Sequence, residues 1–219
     1  MAYDHGEQEQ LDALKAWWKQ YGNLVTWLLI AVLSAFSAWK AWGIYQSKQA
    51  AQASLLFESV QNAIQEKDQA KVLRAVTDIQ EKYSGTDYAS MASLLAAKTD
   101  FDANDLKAAK VQLMWVGEHG KSDEFKALAK IRLAGILLDE KSYDDALKLV
   151  SGDFSPQLVS AAADRKGDIL VAQNKIDDAR AAFQLAIDKS TDKSPIRQLI
   201  QLKLDAIGGA PTPAPAANK

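Results

Sequence analysis

Between Lys19 and Lys40 the chain runs for 20 residues, QYGNLVTWLLIAVLSAFSAW, without a charged side chain. As a helix rising about 1.5 Å per residue, this run reaches about 30 Å, the thickness of a bilayer's hydrocarbon core. Leu24, Val25, Leu28, Leu29, Ile30, Val32, Leu33 and Phe36 each favour insertion by roughly 0.3 to 0.6 kcal/mol, together about 2 to 5 kcal/mol. Asn23, Thr26, Ser34 and Ser37 offset part of this, so the balance favours lipid by a modest margin.

The aromatic residues point the same way. Trp17, Trp18 and Tyr21 flank one end of the run and Trp39, Trp42 and Tyr45 the other, with Trp27 inside it. Amphipathic rings settle at both headgroup levels of a bilayer, so two belts indicate a spanning helix. A buried core helix seldom runs this long without a charge. A cleaved signal peptide competes, because Ala35 and Ser37 form a weak small-x-small site. Against it, the preceding segment carries Asp4, Glu7, Glu9 and Asp12 rather than a basic region, and bulky Trp39 follows the run. The expectation is a retained anchor over residues 20–42, preceded by a tail over 1–19 and followed by a juxtamembrane linker helix over 43–53. Lys15 and Lys19 on one side balance Lys40 and Lys48 on the other, so charge alone leaves the orientation open.

Past residue 53 the chain is of globular character: 48% of the whole is hydrophobic, and the formal net charge is −2 with both signs interspersed. No field of one sign exists to attract nucleic acid. Without cysteine there are no disulfides, thiol nucleophiles or thiolate metal sites, and nothing is learned about the redox compartment.

Helical periodicity with no proline before Pro156 makes residues 54–207 read as helix upon helix. Val72/Ala75, Leu106/Ala109, Tyr143/Ala146 and Ile176/Ala179 recur at spacings of 34, 37 and 33 residues. Four positions after each alanine stands Ile79, Leu113, Val150 or Phe183, and twelve before it Ala63, Ala97, Ala134 or Gly167. Small residues at two antiparallel helices' crossing, with a large plug against the next pair, are the packing scheme of tetratricopeptide units. The fold class expected is therefore all-α: a single N-terminal transmembrane helix, then a tetratricopeptide-like solenoid of about four hairpins. The first two hairpins depart from the pattern, with polar Glu66 and Asp100 where the later ones have Leu137 and Leu170. Pro195 opens IRQLIQLKLDAI as a terminal capping helix closed by Gly208 and Gly209, and residues 208–219, rich in proline and alanine, are expected to be disordered.

Catalytic chemistry has no strong candidate. Gly120, Lys121 and Ser122 resemble the end of a phosphate-binding loop, but Trp115 occupies the place of its first glycine and the preceding segment reads as helix. His5 and His119 lack second ligands at metal-binding spacing, and His119 reads as a solvated loop residue. The pairs Asp144/Asp145 and Asp177/Asp178 recur at second-helix starts, where capping and the helix dipole explain them. Met114 and Trp115 are expected inside a hairpin. Neither cofactor nor metal is called for, and the reading is a non-enzymatic binding module whose groove would be lined by first helices around Leu94, Arg132 and Arg165.

The order of EQEQLDALKAWWKQYGN, one anchor, AWKAWGIYQ, ASLLAAKTDFDANDLKAAKVQL and RKGDILVAQNKIDDARAAF resembles the YfgM family, the ancillary subunits of the bacterial SecYEG translocon, up to about Ile207. The resemblance implies an inner-membrane protein with a cytoplasmic N-terminus and a periplasmic repeat domain. It would associate with the SecYEG translocon and the membrane-anchored periplasmic chaperone PpiD, and act on exported proteins. A holdase that binds unfolded clients directly, and an envelope-assembly scaffold unrelated to the translocon, are the competing readings.

Overall fold

The computed structural model describes residues 4–191 and 194–209, with side chains from residue 9 onward. Among the described residues every regular element is helical: α1 (Asp4–Gln65), α2 (Gln69–Tyr83), α3 (Asp87–Asp102), α4 (Leu106–His119), α5 (Asp123–Asp139), α6 (Tyr143–Val150), α7 (Val159–Ala172), α8 (Ile176–Lys189) and α9 (Pro195–Ala206). The chain divides into two units at Gln49/Ala50, within α1. The expected boundary between linker and repeats, at residue 53, falls inside the same helix. Most of the proline-rich tail lies outside the described residues.

In the first unit, α1 carries the uncharged run, where an 18-residue window has mean hydropathy 1.7. No proline interrupts it, and Thr26 Oγ1 donates to the Gly22 carbonyl at 2.7 Å. A hydroxyl satisfied by its own helix is cheaper to place in lipid than a free one.

In the second unit, the end of α1 with α2, α3 with α4, α5 with α6, and α7 with α8 make four hairpins. Each hairpin turns through one residue in the left-handed region, Lys67, Asn104, Lys141 and Asn174, with φ between 57° and 63°. Around each, two backbone bonds close the preceding helix, for example Ser142 N–H to Leu137 O at 2.8 Å and Lys141 N–H to Leu138 O at 3.0 Å. This is the Schellman closure, and asparagine tolerates its φ better than most residues. Asp68 and Asp105 then cap the next helix, accepting from the Lys71 and Ala108 amides. Neither α6 nor α8 has a side-chain cap; Asp144, Asp145, Asp177 and Asp178 sit in their first turns, where only the dipole favours them.

These turns are 37, 37 and 33 residues apart, which corrects the first repeat's register. Counted from the turn, the first-helix crossing positions are Val60, Ala97, Ala134 and Gly167, the second-helix positions Val72, Ala109, Ala146 and Ala179, and the plugs Val76, Leu113, Val150 and Phe183. All twelve are buried. In the expected register Ala75 should be buried too, yet it is half-exposed while Val76 beside it is sealed. Three residues are nearly one helical turn, so the shifted set Ala63, Ala75 and Ile79 falls close to the true face and alanine identity misled. Glu66 is likewise not the counterpart of Leu137; Ala63 is.

Each core cluster joins one hairpin to the next first helix. Ala97, Ala109, Leu113 and Val116 pack with Ala129 and Ile136 of α5, and Leu170, Phe183 and Ile187 pack with Ile200 and Leu204 of α9. The last helix thus supplies the wall that a fifth hairpin would have brought. Pro195 starts it, and Gly208 (φ 99°) and Gly209 (φ 77°) end it.

The crossings give a direct test. Ala146 is fully buried between α5 and α6, so Ala146→Leu overpacks a helix contact and lowers stability by about 1 to 3 kcal/mol. Asp145, on the exposed start of the same helix, pairs only with Lys148 at the surface. Asp145→Ala shifts stability by less than about 1 kcal/mol. Equal melting temperatures for the two variants would contradict the assigned faces.

Candidate functional site

Each unit presents a surface open for contact among the described residues. In the first, Trp17, Trp18, Tyr21, Trp27, Trp39, Trp42 and Tyr45 are all exposed, Trp39 most of all at 71%. Side chains three or four apart share a helix face, and rings accordingly pair along α1: Trp17 with Tyr21 at 5.9 Å, Phe36 with Trp39 at 6.1 Å, and Trp42 with Tyr45 at 5.9 Å. The Trp18 indole lies against Gly22, where a Cβ would stand 3.1 Å from it. Gln49 donates to the Tyr45 hydroxyl at 2.7 Å.

In the second unit a mostly apolar groove of about 410 Å³ crosses the first helices α3, α5 and α7. Its floor is core edge, Ala97, Leu113 and Ile136, and its walls are Phe101, Arg132 and Arg165. The floor is apolar because these positions belong to the repeat's buried face, while the wall residues stand beside that face on the first helices. Phe101 is 46% exposed although it is a large aromatic. Gly135 brings Arg165 close: a Cβ there would stand 3.3 Å from the guanidinium carbon.

The charges in this groove are incompletely matched. Lys98 pairs with Asp102 on its own helix at 2.5 Å. Arg165 reaches Asp168 at only 3.5 Å, and its Nε is buried with no hydrogen-bond partner. Arg132 makes no ion pair among the described residues, and partial burial pulls its guanidinium below the ordinary value. Of the groove residues expected from the sequence, Arg132 and Arg165 line it, whereas Leu94 is buried in the core. Phe101 and Gly135 were not anticipated; the signals were an aromatic three residues before a left-handed turn and a glycine beside the crossing Ala134.

Other candidates are placed elsewhere. Trp115 is partly buried between two core clusters, but Met114, expected inside, is 51% exposed. His119 is the last residue of α4, not a loop residue, and its ring stacks on Trp115 at 5.3 Å. Gly120 to Ser122 form the turn into α5, where the Ser122 hydroxyl accepts from the Phe125 amide. Asp100, at the position of Leu137 and Leu170, is buried and accepts from Gln69 Nε2 at 2.9 Å. Burial raises its carboxyl above the usual value, an effect that the bond from Gln69 partly offsets. Among the described residues no cluster of histidine and carboxylate is arranged to hold a metal.

Residues 15–209 match the profile of the tetratricopeptide repeat-like domain family. A protein of Neisseria gonorrhoeae named ancillary SecYEG translocon subunit is 33% identical over 215 residues, covering 94% of this chain and 100% of the relative. Proteins of the same name from Haemophilus influenzae and Escherichia coli are 26% and 25% identical, covering 94% and 91% of this chain and 99% and 95% of their own lengths.

Proposed function

Since this chain belongs to the YfgM family of tetratricopeptide repeat-like proteins, we propose that it is an ancillary subunit of a SecYEG translocon in a bacterial inner membrane. The observation that carries this reading is the pairing of one apolar, aromatic-belted helix with a repeat unit in a chain that matches relatives bearing that name over nearly its whole length. The helix holds the protein at the translocon, and the repeat unit stands in the periplasm. There it engages a membrane-anchored chaperone of the PpiD kind and exported chains. The role is one of binding, not catalysis: the groove offers apolar floor and cationic walls, without an acid, base and nucleophile in mutual reach.

Two contacts are separable. Thr26, Ser34 and Ser37 lie in the span, where small and hydroxylated residues let helices approach closely within lipid. Replacing residues 22–39 by an unrelated apolar helix keeps the protein in the membrane but lowers its copurification with the translocon. Undiminished copurification after that replacement would sink the anchor's role. Orientation is read with a single thiol, since the chain has no cysteine. Asp153 is exposed in the loop after α6, and Asp153→Cys is labelled by an impermeant reagent in intact spheroplasts. Labelling seen only after lysis would place the repeat unit in the cytoplasm.

A further inference from the structure

Resting on the reading that the repeat unit binds other proteins, we infer that a cleft between α6, α7 and α8 receives an α-helix of a partner protein. That helix presents two apolar turns, then a carboxylate and, one turn further on, a cation.

The cleft exists because α6 is short. It has 8 residues, against 15 in α2 and 14 each in α4 and α8. After Val150 the Ser151 hydroxyl turns back to the Leu147 carbonyl at 2.7 Å, and the next helix starts only at Val159. In the repeat register Val150 corresponds to Phe183, so residues 184–189 of α8 have no counterpart on α6, a shortfall of about 9 Å of helix. Leu185 falls in that stretch and is 44% exposed. What remains is a cleft of about 520 Å³, with α8 on one side, the end of α6 and Phe154 on the other, and α7 beneath. Ala162, Ala163 and Ala182 line it, and side chains that small let another helix approach closely. A missing length of helix within a layer of helices leaves a space of helical width, which suits a helix better than an extended chain.

Two charges fix the partner's chemistry. Lys166 of α7 and Asp178 of α8 line one end of the cleft, and neither makes an ion pair among the described residues. The two helices run antiparallel from the turn at Asn174, with Lys166 eight residues before it and Asp178 four after. The charges therefore stand about 6 Å apart along the hairpin, close to one helical turn. Residues i and i+4 of a docked helix have the same rise, so a glutamate and a lysine at that spacing meet Lys166 and Asp178 in order. The opposite order sets like charge against like. Beyond Lys166 the cleft turns apolar toward Leu185 and Val159, which receive the partner's residues one and two turns before its carboxylate.

Two labelled peptides of one composition test this, LAQLAQAEAAAK and its charge-exchanged twin LAQLAQAKAAAE, each held helical by a hydrocarbon staple on the outward face. Fluorescence anisotropy with the full-length protein in zwitterionic nanodiscs reads their binding. The first binds about fivefold more tightly, and added salt erodes the difference. Lys166→Glu/Asp178→Lys inverts the preference, which no difference in peptide helicity can do. Leu185→Gln, at an exposed rim position, weakens both peptides alike. Arg132→Met, outside the cleft, leaves the preference as it is in the wild type. Melting temperatures separate lost binding from lost folding. Equal binding of the twins, or a preference that survives the charge exchange in folded protein, overturns the assignment. Equal binding of an unstapled, proline-broken LAQLPQAEAAAK overturns the helical occupant, and self-association that Leu185→Gln abolishes replaces the partner with a second copy. If the twins are not discriminated while the anchor still governs copurification with the translocon, only the cleft assignment falls. If copurification proves independent of the anchor while the twins are discriminated, the translocon reading falls and the cleft stands.

Discussion

Gly167→Ala lowers the stability of the repeat unit by about 1 to 3 kcal/mol, the reverse of what this substitution does in an ordinary helix. Within a helix, glycine to alanine normally gains about 0.5 to 1 kcal/mol, because glycine loses more backbone freedom on folding. Here the added methyl would stand 2.5 Å from a ring carbon of Phe183, itself only 1% exposed and unable to swing into solvent. The repeats trade size across this contact. Val60 shares a core cluster with plug Val76, Ala97 with Leu113 and Ala134 with Val150, while Gly167, the smallest, lies against the largest plug, Phe183. Shrinking the plug therefore repairs the clash. Gly167→Ala/Phe183→Leu is more stable than the sum of the two single changes predicts, by a coupling of about 0.5 to 3 kcal/mol. Thermal unfolding of the wild type, both single variants and the double variant measures it. Additive losses would show that the methyl is accommodated some other way.

Lys203→Met costs about 2 to 4 kcal/mol near neutral pH, because it strips two partly buried carboxylates of their main cation. Lys203 of α9 donates to Asp164 at 2.8 Å and to Asp168 at 3.0 Å, and its ammonium lies 5.6 Å from the centre of the Phe183 ring. This contact ties the capping helix to α7. Burial already raises the Asp168 carboxyl above the ordinary value of 3.8, with Lys203 offsetting part of that effect. A carboxyl raised on folding adds stability below its unfolded value, and that contribution is lost as pH rises through the folded value. Without Lys203 the carboxyl rises further. The deficit of the variant is therefore widest near neutrality and closes on acidification, as Asp168 takes up a proton above the ordinary value of 3.8. Lys203→Met/Asp168→Asn recovers much of the loss at neutral pH. A deficit that does not change with pH would mean that lost packing, not the stranded carboxylates, is the cause.

The sequence by itself determined the solvent of each part and the repeating plan. Twenty residues without a charge, bracketed by rings, can be satisfied in lipid by their own backbone bonds, so local composition decides there. Alanines recurring at helical spacing between large apolar residues are legible because a hairpin's packing is local in the chain, and the capping helix announced itself through Pro195, Gly208 and Gly209. Tertiary structure alone decided the rest. The first repeat's register hung on Val60 and Val72 standing where later repeats carry alanine or glycine, and only the left-handed turn at Lys67 distinguishes faces one helical turn apart. Asp100 looked like an irregularity, and the Gln69 amide that satisfies it comes from 31 residues away. The groove was half foreseen: Arg132 and Arg165 are polar residues on first helices and line it, but Leu94 on α3 turns into the core. Which cation Asp168 pairs with depends on Lys203 reaching it across 35 residues, and no local pattern encodes that competition.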